Sequence, residues 1–84
     1  MTEIKKTVKD YILAEFLPGE DPAGLTDDTP LITGGILDSI ATIKTSEFLQ
    51  EKYRIKIAAH EMTAKHFNTI ASMASLIQSK LQLQ

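Results

Sequence analysis

The sequence predicts an all-α fold, a four-helix bundle with three main helices, one short helix and a long first loop. Three segments carry large apolar residues at the three- and four-residue spacing of an amphipathic helix. Only one stretch, the IKIAA of residues 55–59, alternates like a β-strand, and no second strand is available to pair with it. Since 84 residues build one core but not two, we expect a single domain over residues 1–84.

The first helix is predicted from about Glu3 to Leu17, because Pro18 and Gly19 then end the pattern. Its apolar stripe consists of Ile4, Val8, Tyr11, Ile12 and Phe16. Residues 18–37 are predicted to form a loop with several large apolar side chains, so we expect the loop to lie across the core. Long ordered loops in compact domains are often functional.

The second helix is predicted from Asp38 or Ser39, both good N-cap residues, to about Tyr53. The IKIAA stretch should be an extended connector, followed by a short helical turn around residues 60–65. The last helix is expected after Asn68, another good cap residue. Its apolar face consists of Ile70, Met73, Ala74, Ile77 and Leu81, and the last three residues of the chain are expected to fray.

Size and composition favour a cytoplasmic module on which other proteins act. A cleft that buries a small ligand occupies several hundred cubic ångströms, which would consume much of so small a core. The chain has no Cys, so disulfides and thiolate metal sites are excluded. The N-terminal MTEIKKTVKD does not resemble a signal peptide, and no apolar run reaches membrane-spanning length.

The charges are unevenly distributed along the chain. No Lys or Arg occurs between Lys9 and Lys44. The acidic residues of this stretch are Asp10, Glu15, Glu20, Asp21, Asp27, Asp28 and Asp38. This acidic half of the chain makes nucleic acid an unfavourable partner, because contacts to its phosphates require basic residues. Two interpretations stay open: a partner with a basic surface, or a solvated acidic loop without a partner.

Two isoleucines of the second helix break its amphipathic pattern. At about 100° per residue, the predicted buried face consists of Ala41, Thr45, Phe48, Leu49 and Tyr53. The predicted solvated face consists of Lys44, Glu47, Glu51 and Arg54. Ile40 and Ile43 fall among these charged residues. Either the long loop folds over them or this face is partly buried, or they form with Lys44 and Glu47 a partner-docking patch.

The stretch GGILDSI, residues 34–40, places Ser39 at the start of the second helix. The two glycines permit a tight approach of the backbone. A helix N-terminus offers unpaired N–H groups and the positive end of the helix dipole, so it tolerates an attached phosphate. From these residues alone, Asp38 and Ser39 are better explained as a plain N-cap pair.

This stretch resembles the modification site of the acyl carrier protein superfamily, which reads Asp-Ser-Leu or a close variant at the start of the second helix. The resemblance extends to the DDTPL of residues 27–31, to the FNT of residues 67–69 before the last helix and to the chain length. It implies a four-helix carrier-protein bundle. Peptidyl and aminoacyl carriers belong to the same superfamily.

The resemblance implies that Ser39 carries a 4'-phosphopantetheine arm, placed there from coenzyme A by a phosphopantetheinyl transferase. Asp38 would serve transferase recognition, and Ile40 and Ile43 match positions that carriers use to contact partner enzymes. The arm ends in a thiol that holds the cargo as a thioester, so the protein itself is not an enzyme. The implied partners are the transferase, an adenylating amino-acid or acyl ligase and a downstream acyl-accepting enzyme, and we expect a monomer.

The charge of the second helix bears on the cargo. Fatty-acid carriers have a strongly acidic second helix, whereas here Lys44, Lys52 and Arg54 offset Glu47 and Glu51. The run ILDSIATIK is similar to stand-alone aminoacyl carriers such as the D-alanyl carrier protein. We therefore predict an aminoacyl cargo, with a fatty-acyl or polyketide cargo as the alternative.

The sequence gives less support to other functions. Catalysis by Ser39 would need a neighbouring base, and neither His60 nor His66 lies in a recognisable motif. Ligand spacing for a metal site and the glycine and alternating acids of a calcium loop are absent from the sequence. The alternative from another class is an unmodified helical adaptor that only binds proteins.

Overall fold

The computed structural model describes residues 2–82, which fold into four α-helices. They are α1 (Thr2–Phe16), α2 (Ser39–Tyr53), α3 (Ala64–Phe67) and α4 (Ile70–Gln82), with short 3-10 turns at Pro22–Gly24 and Ala59–Glu61. The described residues contain no β-strand, so the predicted all-α bundle of three main helices and one short helix is confirmed. Of the residues expected to fray, Gln82 ends α4, and Leu83 and Gln84 lie outside the described residues.

Helix α1 begins and ends one residue earlier than predicted, and the short helix and the cap of α4 also differ. The short helix lies at residues 64–67 rather than 60–65, because the Thr63 carbonyl accepts the N–H groups of His66 and Phe67 and starts a new turn there. The residue that caps α4 is Thr69, not Asn68. The Thr69 Oγ1 accepts the N–H of Ser72 at 3.0 Å, the usual geometry of an N-cap hydroxyl.

The core lies between α1 and α4, and the long loop crosses one end of it. Loop residues Leu25, Leu31 and Leu37 are buried, which confirms the expectation that the loop lies across the core. Each fully buried leucine stabilises the fold by about 2 kcal/mol relative to an exposed one. Phe67 of α3 is also fully buried and fixes the short helix against α4. Residues 55–58 form a connector without regular secondary structure, whereas residue 59, predicted to belong to it, begins the 3-10 turn.

The buried face of α2 is built mostly from small and hydroxyl-bearing side chains. Its members are Ala41, Thr42, Thr45, Ser46 and Leu49. The Thr42 and Thr45 hydroxyls donate to the carbonyls of the preceding turn, each at 2.8 Å. The Ser46 hydroxyl accepts from Gln50, so all three buried polar groups are satisfied. The apolar pattern identified neither Thr42 nor Ser46 as buried, because hydroxyl residues carry no hydrophobic signal.

Two residues expected on the buried face of α2, Phe48 and Tyr53, are only half-buried. Phe48 instead stacks on Tyr11 of α1 with ring centroids 4.1 Å apart. The Tyr11 hydroxyl donates to the Lys44 carbonyl at 3.3 Å, so this pair holds α1 and α2 together at the edge of the bundle.

One ion pair ties the 59–61 turn to α4. The Lys80 ammonium donates to the Glu61 carboxylate at 2.7 Å, and both side chains are largely shielded from solvent. This hydrogen bond, followed by one from the Ala58 N–H, holds the pKa of the Glu61 carboxyl below its usual value. A carboxyl with a lowered folded-state pKa stabilises the fold at pH values above its unfolded pKa. That contribution is lost as the pH falls through the folded-state pKa.

We expect Glu61→Gln to lower the free energy of unfolding by about 1 kcal/mol at neutral pH, the upper end of the range for exposed ion pairs, because this pair is partly shielded. The amide oxygen can still accept the Ala58 N–H, so only the charge is lost. Urea unfolding at neutral and acid pH should show the difference closing as the pH falls through the lowered pKa. A difference that is independent of pH would contradict this account. Asp10→Asn is the control, because the Lys6–Asp10 pair is exposed and should contribute almost nothing.

Candidate functional site

The start of α2 is organised by the side chain and the carbonyl of Asp38. Asp38 has extended backbone angles, and its carboxylate accepts the N–H of Ala41 at 2.7 Å. Its carbonyl accepts both the N–H and the hydroxyl of Thr42, at 2.9 and 2.8 Å. Asp38 is therefore the N-cap of α2, in agreement with the predicted helix start.

Ser39 follows as the first residue of α2, and it is exposed. Because Asp38 does the capping, the Ser39 hydroxyl is not needed for it. That hydroxyl makes no hydrogen bond to any of residues 2–82. The explanation of Asp38 and Ser39 as a pair of caps thus accounts for Asp38 alone. An exposed hydroxyl at the positive end of a 15-residue helix is open to reaction and well placed to hold a phosphate.

The turn before Asp38 depends on two glycines. Gly35 has a φ of 83°, a conformation that side chains rarely permit. At Gly34 a Cβ atom would collide with the carbonyl oxygen of Pro30. The turn closes on Leu31, whose carbonyl accepts the N–H groups of Ile36 and Leu37 at 2.8 and 2.9 Å. The glycines therefore allow the tight approach that the sequence predicts.

Asn68 connects this loop to the corner between α3 and α4. Its side-chain oxygen accepts the N–H groups of Ile32 and Thr33 at 2.9 and 3.0 Å. Its carbonyl accepts the N–H of Leu31 at 2.6 Å. Asn68 thus holds the loop that leads to Ser39, a role that the sequence prediction missed. One sequence signal could have indicated this role. Thr69 is an equally good N-cap for α4, so the Asn68 side chain is available to bind another segment.

Ile40 and Ile43 stand on the surface of α2. Their exposed fractions are 66% and 47%, and they are the large hydrophobic residues exposed among those described. Lys44 and Glu47 are exposed beside them. The long loop does not cover the two isoleucines, so the interpretation in which it folds over them is wrong.

An open groove of about 560 Å³ runs beside Ser39, between α2 and the 59–64 segment. Its walls are mostly apolar and include Ile32, Leu37, Ile43, Met62 and Ala64. The groove exists because α3 packs on α4 and makes few contacts with α2. A flexible group attached to the Ser39 hydroxyl could lie along it.

The two histidines are not part of this arrangement. His60 is exposed and His66 is half-buried, and neither lines the groove at Ser39. Residues 2–82 contain no cluster of three or more His, Cys, Asp or Glu side chains that could hold a metal ion. Over the same range, no helix has the length and apolarity needed to span a membrane.

A serine hydroxyl without a partner at a capped helix start, beside an open groove, is a plausible attachment point for a flexible group. Comparison with curated proteins agrees. The chain is 35% identical over 68 residues to the probable acyl carrier protein PigG of a Serratia species, covering 81% of this chain and 77% of that protein. The chain belongs to the acyl carrier protein family.

A solved structure shows the same fold. The chain matches a chain of a crystal structure described as that of an FAD-dependent dehydrogenase, with a TM-score of 0.74 and 33% identity. The match covers 83% of this chain and 97% of the other. No family model matches the sequence.

Family membership establishes the general role of the protein. Acyl carrier proteins are non-catalytic carriers that work with partner enzymes, so this protein is a carrier and not an enzyme. Members of the family normally bear a phosphopantetheine prosthetic group. The unpartnered Ser39 hydroxyl and the adjoining groove fit such a group.

Proposed function

We propose that the protein holds its cargo as a thioester on a 4'-phosphopantetheine arm attached to the Ser39 hydroxyl. The observation that carries this proposal is that Asp38 caps α2, so that Ser39 stays exposed and its hydroxyl has no hydrogen-bond partner among the described residues. The Ser39 oxygen attacks the β-phosphorus of coenzyme A, a phosphodiester forms, and 3',5'-ADP leaves. The hydroxyl proton passes to a base of the transferase. The helix N-terminus then stabilises the new phosphodiester charge.

Intact-mass spectrometry tests this directly. After incubation with coenzyme A and a broad-specificity phosphopantetheinyl transferase, the protein should gain the mass of one arm. Peptide mapping should place the gain on the peptide that contains Ser39. A protein that gains no mass while a known carrier is modified in the same reaction would favour the unmodified adaptor instead.

For the cargo we propose an aminoacyl group, loaded by an adenylating ligase. Two features support this choice over a fatty-acyl or polyketide chain. The exposed charges of α2 and its C-cap, Lys44, Glu47, Glu51, Lys52 and Arg54, nearly balance. The groove at Ser39 is open, and the core beside it is closed by fully buried side chains, which leaves a long acyl chain little interior space.

The cargo proposal is tested with the holo protein and a candidate ligase. Adenylation and thioester formation should be measured with ATP against a panel of amino acids and a panel of fatty acids of increasing length. Loading confined to amino acids is the expected result. Loading confined to fatty acids would establish the alternative cargo.

The structural relative suggests a class for the downstream enzyme. The match covers about 70 residues of this chain and 97% of the other, so the matched chain is itself only about 72 residues long. A chain of that length is too short to enclose a flavin dinucleotide. We infer that it accompanies the dehydrogenase of that crystal structure, and we propose an FAD-dependent dehydrogenase among the enzymes that act on the cargo of this carrier.

We also propose that Ile40, Ile43, Lys44 and Glu47 form the docking patch for partner enzymes, and that Asp38 contributes to transferase recognition. An apolar pair of this exposure, rimmed by charges and adjacent to Ser39, has the composition of a small interface core.

Residues 2–82 pack around one core, which supports a single carrier domain over residues 1–84. We propose that it acts as a monomer in the cytoplasm.

We expect Ile43→Asp to reduce the rate of charging by an adenylating ligase about tenfold or more, because the loss of an interface anchor commonly costs over 1 kcal/mol. The side chain is half-exposed, so helicity by circular dichroism should be unchanged. Ser75→Asp adds the same charge at an exposed position of α4 and is the control. Equal charging rates for the two variants would exclude Ile43 from the docking patch.

A further inference from the structure

A second groove lies on the other flank of the α2 start; it shares Asp38, Ile40 and Lys44 with the surface proposed above and adds residues of α1 and the loop to it. It has a volume of about 320 Å³ and is lined from α1 by Glu15 and Phe16, from the loop by Ile36, and from α2 by Ile40 and Lys44. We call it the α1–α2 groove. The groove beside Ser39 is lined by another flank of α2, through Ser39, Thr42 and Ile43, and Asp38 lines both grooves.

The α1–α2 groove combines apolar walls with a surplus of negative charge. Asp38 lines it together with Glu15, against the single positive charge of Lys44. Glu15 forms no ion pair with any of residues 2–82, and neither does Glu47. Burial raises the pKa of the Tyr11 hydroxyl, and the negative charges of Glu15 and Glu47 raise it further. The net charge along this groove is therefore negative.

A protein–protein interface of typical size, centred on Ser39, is wide enough to include this groove. A stable interface covers about 800 Å² on each partner, which corresponds to a patch of about 16 Å radius. The described part of the protein measures only 36 × 25 × 19 Å. Since Asp38 and Ile40 flank Ser39 directly and both line the groove, an interface of that size centred on Ser39 would extend over it.

We propose that the α1–α2 groove is a second contact surface for the phosphopantetheinyl transferase and takes an arginine side chain of that enzyme. The arginine stem lies against Phe16 and Ile36, and its guanidinium pairs with the carboxylates of Glu15 and Asp38. Arginine fits both the apolar walls and the two acids, which a purely aliphatic or acidic side chain does not. This inference rests on modification at Ser39, and it adds α1 to the surface that partners recognise.

Glu15→Lys tests the proposal, with Glu3→Lys as the matched control at the far end of the same helix. Both positions are exposed, so neither variant should change the fold, which circular dichroism and urea unfolding would verify. Transferase kinetics with coenzyme A are measured at low and high salt. At low salt we expect Glu15→Lys to raise KM for the carrier about fivefold with little change in kcat, as for the loss of a contact of about 1 kcal/mol. Glu3→Lys should leave KM nearly unchanged.

The salt dependence separates a charge contact from a structural effect. The difference between the Glu15 variant and the wild type should shrink at high salt, because screening weakens exposed charge pairs. Equal KM values for the Glu15 and Glu3 variants, or a rise that high salt does not reduce, would overturn the proposal and leave modification at Ser39 intact. A wild-type protein that accepts no arm would overturn the proposed function and this inference together.

Discussion

We expect Ser39→Ala to abolish attachment of the phosphopantetheine arm while leaving the fold intact. In the proposed reaction the Ser39 hydroxyl is the nucleophile, and the next hydroxyl along α2, that of Thr42, is buried and donates to the Asp38 carbonyl. The helix keeps its cap because the Asp38 carboxylate still accepts the N–H of Ala41. Ser39 is exposed and makes no hydrogen bond within the described residues, so the free energy of unfolding should change by no more than about 0.5 kcal/mol. Intact-mass spectrometry and urea unfolding measure the two effects.

Ser75→Ala serves as the matched control for this prediction. Ser75 is also exposed and lies on a helix, but it is on α4 and away from the Asp38 cap. The control should gain one arm at the wild-type rate. If Ser39→Ala still gained an arm, another hydroxyl would be the attachment site and the assignment of Ser39 would fail.

The second large effect is expected at Gly34. In Gly34→Ala the new Cβ atom meets the carbonyl oxygen of Pro30, a backbone atom that moves only if the whole turn moves. The turn also supplies the Leu31 carbonyl that accepts two N–H groups, so displacement weakens both hydrogen bonds. We expect a loss of about 2–3 kcal/mol in the free energy of unfolding. Modification of Ser39 should slow as well, because the displaced turn leads directly into the helix start.

Two other glycines calibrate that result. Gly35→Ala should cost about 1–2 kcal/mol through its positive φ alone, since nothing lies within 4 Å of the added Cβ. Gly24→Ala has open space and no such φ, so its stability should stay close to the wild type. Urea unfolding of the three variants should rank them in the order Gly34, Gly35, Gly24. A Gly34 variant as stable as the Gly24 variant would show that the collision is relieved without cost.

The sequence was most informative where one physical signal dominated. The apolar stripe of α1, the capped start of α2 and the misplaced Ile40 and Ile43 were all predicted, because periodicity and capping act locally. The four-helix fold followed from the same patterns.

The sequence was least informative where contacts join distant segments. The hydrogen bonds from Ile32 and Thr33 to Asn68 span more than thirty residues, and no local pattern encodes them. The buried hydroxyl of Ser46 was missed because a small polar residue becomes a core residue only when the helix packs closely. The sequence near α4 does not show whether Asn68 or Thr69 is the N-cap, because both residue types suit that position. The choice depends on the loop, whose N–H groups bind the Asn68 side chain.

The anchoring of the loop by Asn68 has a consequence for how far a bound group can travel. Asp38 fixes the first turn of α2, and Asn68 fixes the loop before it, so the attachment point proposed at Ser39 is held in place from both sides. The reach of any tethered group is then set by the tether alone. A short tether on a fixed point keeps its end within a small volume, which corresponds to millimolar effective concentration at a docked partner. Transfer of the tethered group to a docked partner is then effectively intramolecular. A rigid attachment point favours it because the end of the tether stays within that small volume.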